Sequence, residues 1–239
     1  LTMAEAIEQS CDVYFYTVAR EIGIDAIAQM AHAFGLGEKS GLGLRGEQPG
    51  IVPSPEWKKS AGRGVWNPGE TINSAIGQGD TLTTPLQLAT MIARLTNGGK
   101  RISPRLLMDD AVKIDGTIDI DPDHLALMLE GMRRVTQSPR GTAHGSEIKD
   151  PAYAFGGKTG TSQVRKLLVH GQNQNLIPWE FRHHAWFVGY APVEAPRYCC
   201  AVIIEHGGGG AAAAAPVARD VLLKVQQLNE QSTTGDSHV

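Results

Sequence analysis

Residues 156 to 164 read Gly-Gly-Lys-Thr-Gly-Thr-Ser-Gln-Val, and this run limits the fold more than any other stretch of the chain. It holds three glycines, one cation and three hydroxyls, and it alternates as a strand does. On a strand Lys158, Gly160 and Ser162 share one face, while Thr159, Thr161 and Gln163 share the other. Gly160 leaves the backbone bare, so that a ligand can come close to its N–H and C=O groups. The run reads as a substrate-binding edge strand. A phosphate cradle of the form G-x-x-x-x-G-K-[ST] is a poor fit, because Ala152 stands where its first glycine belongs and Gly160 would interrupt the helix that must follow. Taken alone, the run also suits a glycine-punctuated surface strand with a solvated lysine.

The surrounding chain decides what such a strand can belong to. Two more apolar segments, Ala185 to Tyr190 and Tyr198 to Ile204, follow without an intervening helix, which predicts an antiparallel sheet. Ala211 to Gln227 should then close the domain as a helix across that sheet. The fold class is α/β (α+β), an antiparallel sheet flanked by helices. The chain divides into a domain over 1–228 and a disordered tail over 229–239.

Upstream, Thr2-Met3-Ala4-Glu5 is a capping-box start for a helical run that Gly23 stops. Inside that run, Ser10-Cys11-Asp12 carries residues that favour caps over helix interiors. The chain either breaks between two helices at Ser10, or Ser10 caps the second one. Asp25 opens a further amphipathic segment ended by Gly35 and Gly37. Residues 38 to 70 form a long excursion rich in Gly and Pro, and Ile76-Gly77-Gln78-Gly79 is a second stretch of bare backbone. Thr84-Pro85-Leu86-Gln87 and Asp121-Pro122 each announce a helix. A polar loop runs from about His170 to Glu180.

Composition narrows the class. With 239 residues and 41% hydrophobic content, the chain can bury a sizeable core. A net charge of −3 without a basic tract gives no reason to expect a nucleic-acid partner. No apolar run reaches the ~18 residues of a membrane span, so any anchor or export signal is expected outside these residues. Cys11, Cys199 and Cys200 lack a C-x-x-C spacing and leave the redox compartment open. His183-His184 diverge on a strand and lack partners at ligand spacing, which argues against a metal there. The glycine run Gly207 to Gly210 reads as a flexible connection.

Four motifs then stand in one order: Ser10-Cys11-Asp12; Ile76-Gly77-Gln78-Gly79 with Thr84-Pro85-Leu86-Gln87; Lys158-Thr159-Gly160-Thr161; and Trp186-Phe187-Val188-Gly189-Tyr190-Ala191-Pro192. In that order and spacing the chain resembles the penicillin-binding transpeptidases over nearly its whole length. Within them it is most similar to the class B, elongation-type group, penicillin-binding protein 2, where Asp often fills the third place of the S-x-N element. The resemblance implies a penicillin-binding, serine transpeptidase fold, here lacking its N-terminal part. It implies a D,D-transpeptidase that cross-links peptidoglycan: a serine attacks the D-Ala-D-Ala bond of a stem peptide, and the acyl group passes to an amine on a neighbouring strand.

The same resemblance implies residue roles. Ser10 matches the serine that relays a proton between lysine and leaving group. Lys158 matches the cation that holds this serine and keeps the site electropositive. Thr159 and Thr161 match the hydroxyls that receive the substrate's terminal carboxylate, with the Thr161 N–H as half of an oxyanion hole. Gly160, Ser162 and Gln163 continue the substrate-binding strand. Asp12 matches the residue that contacts the substrate's side-chain amide, although a carboxylate only accepts hydrogen bonds where Asn could also donate. The implied chemistry requires no cofactor, and Cys11 is either a small buried hydrophobe or one ligand of a structural zinc. The implied partners are D-Ala-D-Ala stem peptides, β-lactams and membrane proteins of the elongation machinery, and the implied place is the periplasmic face of the bacterial inner membrane. The family's S-x-x-K nucleophile should precede Ser10 and is expected upstream of Leu1. Ser146-Glu147-Ile148-Lys149 fits its letters, but between the wrong motifs. A catalytically silent penicillin sensor or scaffold and a nucleotide-binding protein are the rival functions.

Overall fold

The computed structural model describes residues 1–164 and 177–235. These sort into two compact units: Leu1–Ala6 with Cys11–Leu125, and Ile7–Ser10 with the chain from Ala126 onward.

The first unit is mainly helical. Helix α1 (Met3–Gln9) starts at the expected capping box, where Glu5 accepts from the Thr2 N–H (2.8 Å) and Thr2 Oγ1 accepts from the Glu5 N–H (3.3 Å). Helix α2 (Asp12–Ala33) bends at Gly23, which has φ 78° and ψ 169°, so the chain passes the expected stop with a kink and resumes. The long excursion contains α3 (Pro55–Ser60) and α4 (Pro68–Ala75), and it is tied down by polar contacts. Lys58, almost fully buried, donates to Glu70 (2.6 Å) and to the Val65 carbonyl (2.7 Å). Gly77 and Gly79, at φ 72° and 75°, turn the chain after α4. Helix α5 (Pro85–Thr96) opens on the predicted box between Thr84 and Gln87, and buried Gln87 also donates to the Glu38 and Pro49 carbonyls (both 2.7 Å). Strands β1 (Lys100–Ile102) and β2 (Ile114–Thr117) form an antiparallel pair.

Helix α6 (Pro122–Gln137) follows its Asp121-Pro122 signal, with Asp121 accepting from the Asp123 N–H (2.8 Å). From Ala126 on it belongs to the second unit. There the three-stranded sheet is antiparallel as predicted, in the order β3 (Gly156–Ser162), β4 (His184–Ala191), β5 (Tyr198–Ile204), so β3 is an edge strand. Helix α7 (Gly210–Gly235) packs on all three strands. Ala214, Ala215 and Ala218 are fully buried, which lets the helix axis lie close to the sheet, and Leu222 joins Phe187, Phe155 and Val135 in the core. Each large apolar side chain so buried contributes ~1.5–3 kcal/mol.

Three expectations change here. Gly210 is no flexible link: a Cβ on it would stand 2.3 Å from the Trp186 carbonyl oxygen and 2.5 Å from that of Gly160, so the glycine is the condition for α7 to meet the sheet. The helix also continues past Asn229, the expected start of a disordered tail. Glu230 accepts from the Tyr153 hydroxyl, which fastens this turn to the body of the unit, and residues 236–239 lie outside those described. Finally, β3 ends at Ser162, leaving Gln163 beyond the ladder. Part of the polar loop expected around residues 170 to 180 lies outside the described residues.

Candidate active site

The break at Ser10 and the edge strand meet in one hydrogen bond. Ser10 stands between α1 and α2 in a left-handed conformation, φ 56°, uncommon for a residue with a side chain. The chain thus breaks at Ser10, and Cys11, not Ser10, takes the N-cap position of α2, without a side-chain cap bond. This backbone turn leaves the Ser10 hydroxyl exposed at the end of α1, and Lys158 Nζ donates to its Oγ at 2.8 Å. Such strained conformations persist where the surroundings hold them, and they gather at functional sites.

Lys158 Nζ also donates to the Thr159 carbonyl (3.0 Å) and lies 3.5 Å from Thr159 Oγ1. Thr142, in the turn after α6, joins the cluster with its Oγ1 3.0 Å from Thr159 Oγ1. The register pairs Lys158 with Val188, Thr159 with Phe187, Gly160 with Trp186 and Thr161 with Ala185, so β4 fixes the height of each side chain along the edge.

The three glycines of the strand do different work. A Cβ on Gly157 would lie 2.3 Å from the Val188 carbonyl oxygen and 2.4 Å from the Phe187 ring, and one on Gly156 would lie 2.9 Å from the Tyr190 ring. Those two are demanded by packing. A Cβ on Gly160 would meet only Trp186 Cβ at 3.2 Å, which leaves the bare backbone there as the feature suited to a ligand. Thr161, Ser162 and Gln163 are exposed.

Of the residues singled out in the sequence, Ser10, Lys158 and Thr159 are therefore brought together, with Gly160, Thr161 and Ser162 in line along the same edge and Gln163 just past it. Cys11 and Asp12 belong to the first unit. There Cys11 is half-buried and unbridged. Asp12 is exposed; together with burial, the larger cause, its charge raises the Tyr16 phenol above its ordinary range. Among the described residues no group of three or more His, Cys, Asp or Glu side chains is placed to hold a metal ion. Thr142 is the member that sequence reasoning missed: it has no motif, and only the long-range contact with Thr159 reveals it.

Ser146, which begins the letter match to S-x-x-K, is buried in a 3-10 turn (His144–Ser146). Lys149 is well exposed and hydrogen-bonds Glu147 instead. Serine and lysine are thus turned to different surroundings.

What the cluster can do chemically follows from its donors. A hydroxyl that accepts from an ammonium must direct its own proton elsewhere, so Ser10 is set to donate to a group lying over the strand. The ammonium and the threonine hydroxyls favour an anionic ligand, and an edge strand can extend its ladder to an extended peptide-like molecule. An edge strand with lysine, threonine and a held serine can therefore bind an anionic, extended ligand and offer it a proton.

The chain belongs to the penicillin-binding protein transpeptidase family, whose domain model matches residues 1–223. Relatives include the peptidoglycan D,D-transpeptidase MrdA of Acinetobacter baumannii, 39% identical over 217 residues, and that of Salmonella typhimurium, 34% identical over 234 residues. The matches take in 84% and 93% of this chain but 31% and 37% of those proteins. Among solved structures, the complex between penicillin-binding protein 2 and MreC from Helicobacter pylori has a TM-score of 0.83 at 30% identity, over 97% of this chain and 40% of that one. Pseudomonas aeruginosa penicillin-binding protein 2 in complex with WCK 5153 has a TM-score of 0.80 at 37% identity, over 95% and 49%.

Proposed function

We propose that the protein containing this chain is a peptidoglycan D,D-transpeptidase of the elongation type, acting through a serine acyl-enzyme whose nucleophile is supplied by chain outside these residues. The observation that carries the reading is the 2.8 Å hydrogen bond from Lys158 Nζ to Ser10 Oγ, made across a separation of 148 residues. Ser10 relays the proton: as the nucleophilic oxygen adds to the penultimate D-Ala carbonyl and the amide C–N bond breaks, the Ser10 O–H protonates the leaving amine. Lys158 holds the relay oxygen and offsets the charge of the substrate's terminal carboxylate. Thr159 and Thr161 bind that carboxylate, the Thr161 N–H donates to the developing oxyanion, and Gly160, Ser162 and Gln163 continue the binding edge. Asp12 accepts from the substrate's side-chain amide. A second amine then takes the acyl group, and the serine hydroxyl is restored.

Partners and place follow from the same reading: D-Ala-D-Ala stem peptides and β-lactams at the strand, membrane proteins of the elongation machinery elsewhere, and the periplasmic face of the inner membrane. The Helicobacter pylori structure, a complex with MreC, supports the partner class. No described helix is long and apolar enough to cross a membrane. No cofactor is required by these steps. The test is turnover of a stem-peptide thioester by the full-length protein: acylation followed by transfer to an amine is expected, while acylation without transfer would assign a penicillin-sensing role and overturn the enzyme reading.

A further inference from the structure

Two residues before Ser10, the Glu8 side chain is 1% exposed. Burying a carboxylate costs stability unless hydrogen bonds compensate, and an apolar residue of similar volume would serve the core at least as well. What compensates the burial is what the residue holds. Glu8 Oε1 accepts from Ser138 Oγ (2.5 Å), and Arg140 Nε lies 3.7 Å away. Its backbone carbonyl accepts from the Thr142 N–H (3.2 Å). One residue thus grips both ends of the turn that follows α6. That turn has little freedom of its own: the Gly141 N–H donates to the Ser138 carbonyl (2.8 Å), the Ala143 N–H to that of Val135 (2.9 Å), and a Cβ on Gly141 would stand 2.3 Å from the Arg134 and Val135 carbonyl oxygens.

The turn presents Thr142 Oγ1 to Thr159 Oγ1 at 3.0 Å, and the Thr159 carbonyl accepts from Lys158 Nζ, which in turn donates to Ser10. The connections form a closed loop: Ser10 and Glu8 share the end of α1, Glu8 holds Thr142, Thr142 meets Thr159, and Lys158 returns to Ser10. We infer that Glu8 is a positioning residue for the acyl-transfer site, fixing through the Ser138–Thr142 turn the placement of Thr159 and Lys158 relative to the Ser10 hydroxyl. The inference rests on the transpeptidase reading above. Glu8 does not touch the substrate: its side chain acts through Ser138 on the turn, its backbone carbonyl holds the Thr142 N–H whatever the side chain, and glutamine keeps the acceptor for Ser138 while giving up the ion pair with Arg140.

The experiment is the rate of acylation of the full-length protein by a fluorescent penicillin, with melting temperature measured beside it, for Glu8→Ala, Glu8→Gln, Thr142→Val and the double variant Glu8→Ala/Thr142→Val. Misplacing reacting groups from a distance can lower a rate by up to about 100-fold, so Glu8→Ala is expected to lose about tenfold or more. Glu8→Gln, which keeps the acceptor for Ser138, should recover most of that rate. The double variant should lose no more than the worse single one, because both act through one turn. A merely structural Glu8 would move melting temperature and leave these rate ratios alone. Folded Glu8→Ala acylating at the wild-type rate would overturn the inference, and so would losses that multiply in the double variant. If Glu8→Ala does not fold, Ser138→Ala takes its place: an unchanged rate there overturns the inference, and a loss of about tenfold supports it. Failure of the wild-type protein to be labelled would overturn the transpeptidase reading itself, which separates that failure from failure of the positioning role.

Discussion

Lys158 is half-buried on an edge strand, and its hydrogen bonds to Ser10 Oγ and to the Thr159 carbonyl are with neutral groups. An edge lysine has little packing to lose, so Lys158→Ala should change unfolding free energy by only ~1 kcal/mol. Its effect on acylation should be far larger, about 100-fold or more, because the charge acts on an anionic ligand in a partly desolvated cleft. Chemical denaturation and penicillin acylation of the full-length protein, measured on the same preparation, check this. A large loss of stability with acylation little changed would return the strand to the plain reading of a solvated surface lysine.

At the scale of elements, the contact between α7 and the sheet carries two predictions. Gly210→Ala puts a methyl group against the Trp186 and Gly160 carbonyls, neither of which is a flexible side chain, whereas a Cβ at Gly209 has nothing within 4 Å. Gly210→Ala should therefore cost ~1–3 kcal/mol, the usual range for overpacking, and should also slow acylation, because Gly160 lies in the binding edge. Gly209→Ala is the control, and equal effects of the two on melting temperature would refute the close-packing account. The second prediction concerns β5. Burial raises the Cys199 thiol and pushes Cys200 from its ordinary 9.0 to about 12, and burial likewise raises the Tyr190 phenol. These groups stay protonated in the fold but ionise more readily once unfolded, so the native state holds the extra protons. Their contribution is complete below pH about 9 and is lost as pH rises from there toward about 12. Urea midpoints should fall between pH 8 and pH 10.5, and Cys200→Ala should flatten that fall; a flat wild-type profile would contradict the burial of these thiols. The elements themselves were largely legible, since capping boxes at Thr2 and Thr84 and the helix-free spacing of three strands depend on neighbours in sequence. The Gly210 contact was not, because a glycine needed for close approach and a glycine in a loose link look alike until the partner strand is known.

Across the whole molecule, the site's legibility divides along the same line. Lys158, Thr159 and Ser10 were readable as motifs in order, while Glu8 and Thr142 matter through contacts that join residues more than 15 positions apart and leave no local pattern. The nucleophile is where order and geometry make the same demand. Ser146 is buried, and the Lys149 ammonium goes to Glu147. A hydroxyl without access to solvent cannot meet a β-lactam, and this one is not served by the lysine of its own S-x-x-K letters. Ser10 accepts its hydrogen bond from Lys158, which in the proposed reading also faces the substrate's carboxylate and leaves the serine to relay a proton rather than attack. The 239-residue chain alone should therefore bind benzylpenicillin only noncovalently. Intact-mass measurement after incubation should show no added mass, and the full-length protein treated alike should gain one penicillin per chain. A stoichiometric adduct on the 239-residue chain that disappears in Ser146→Ala would show that Ser146 is the nucleophile after all; one that disappears in Ser10→Ala would move the attack to the hydroxyl that Lys158 holds.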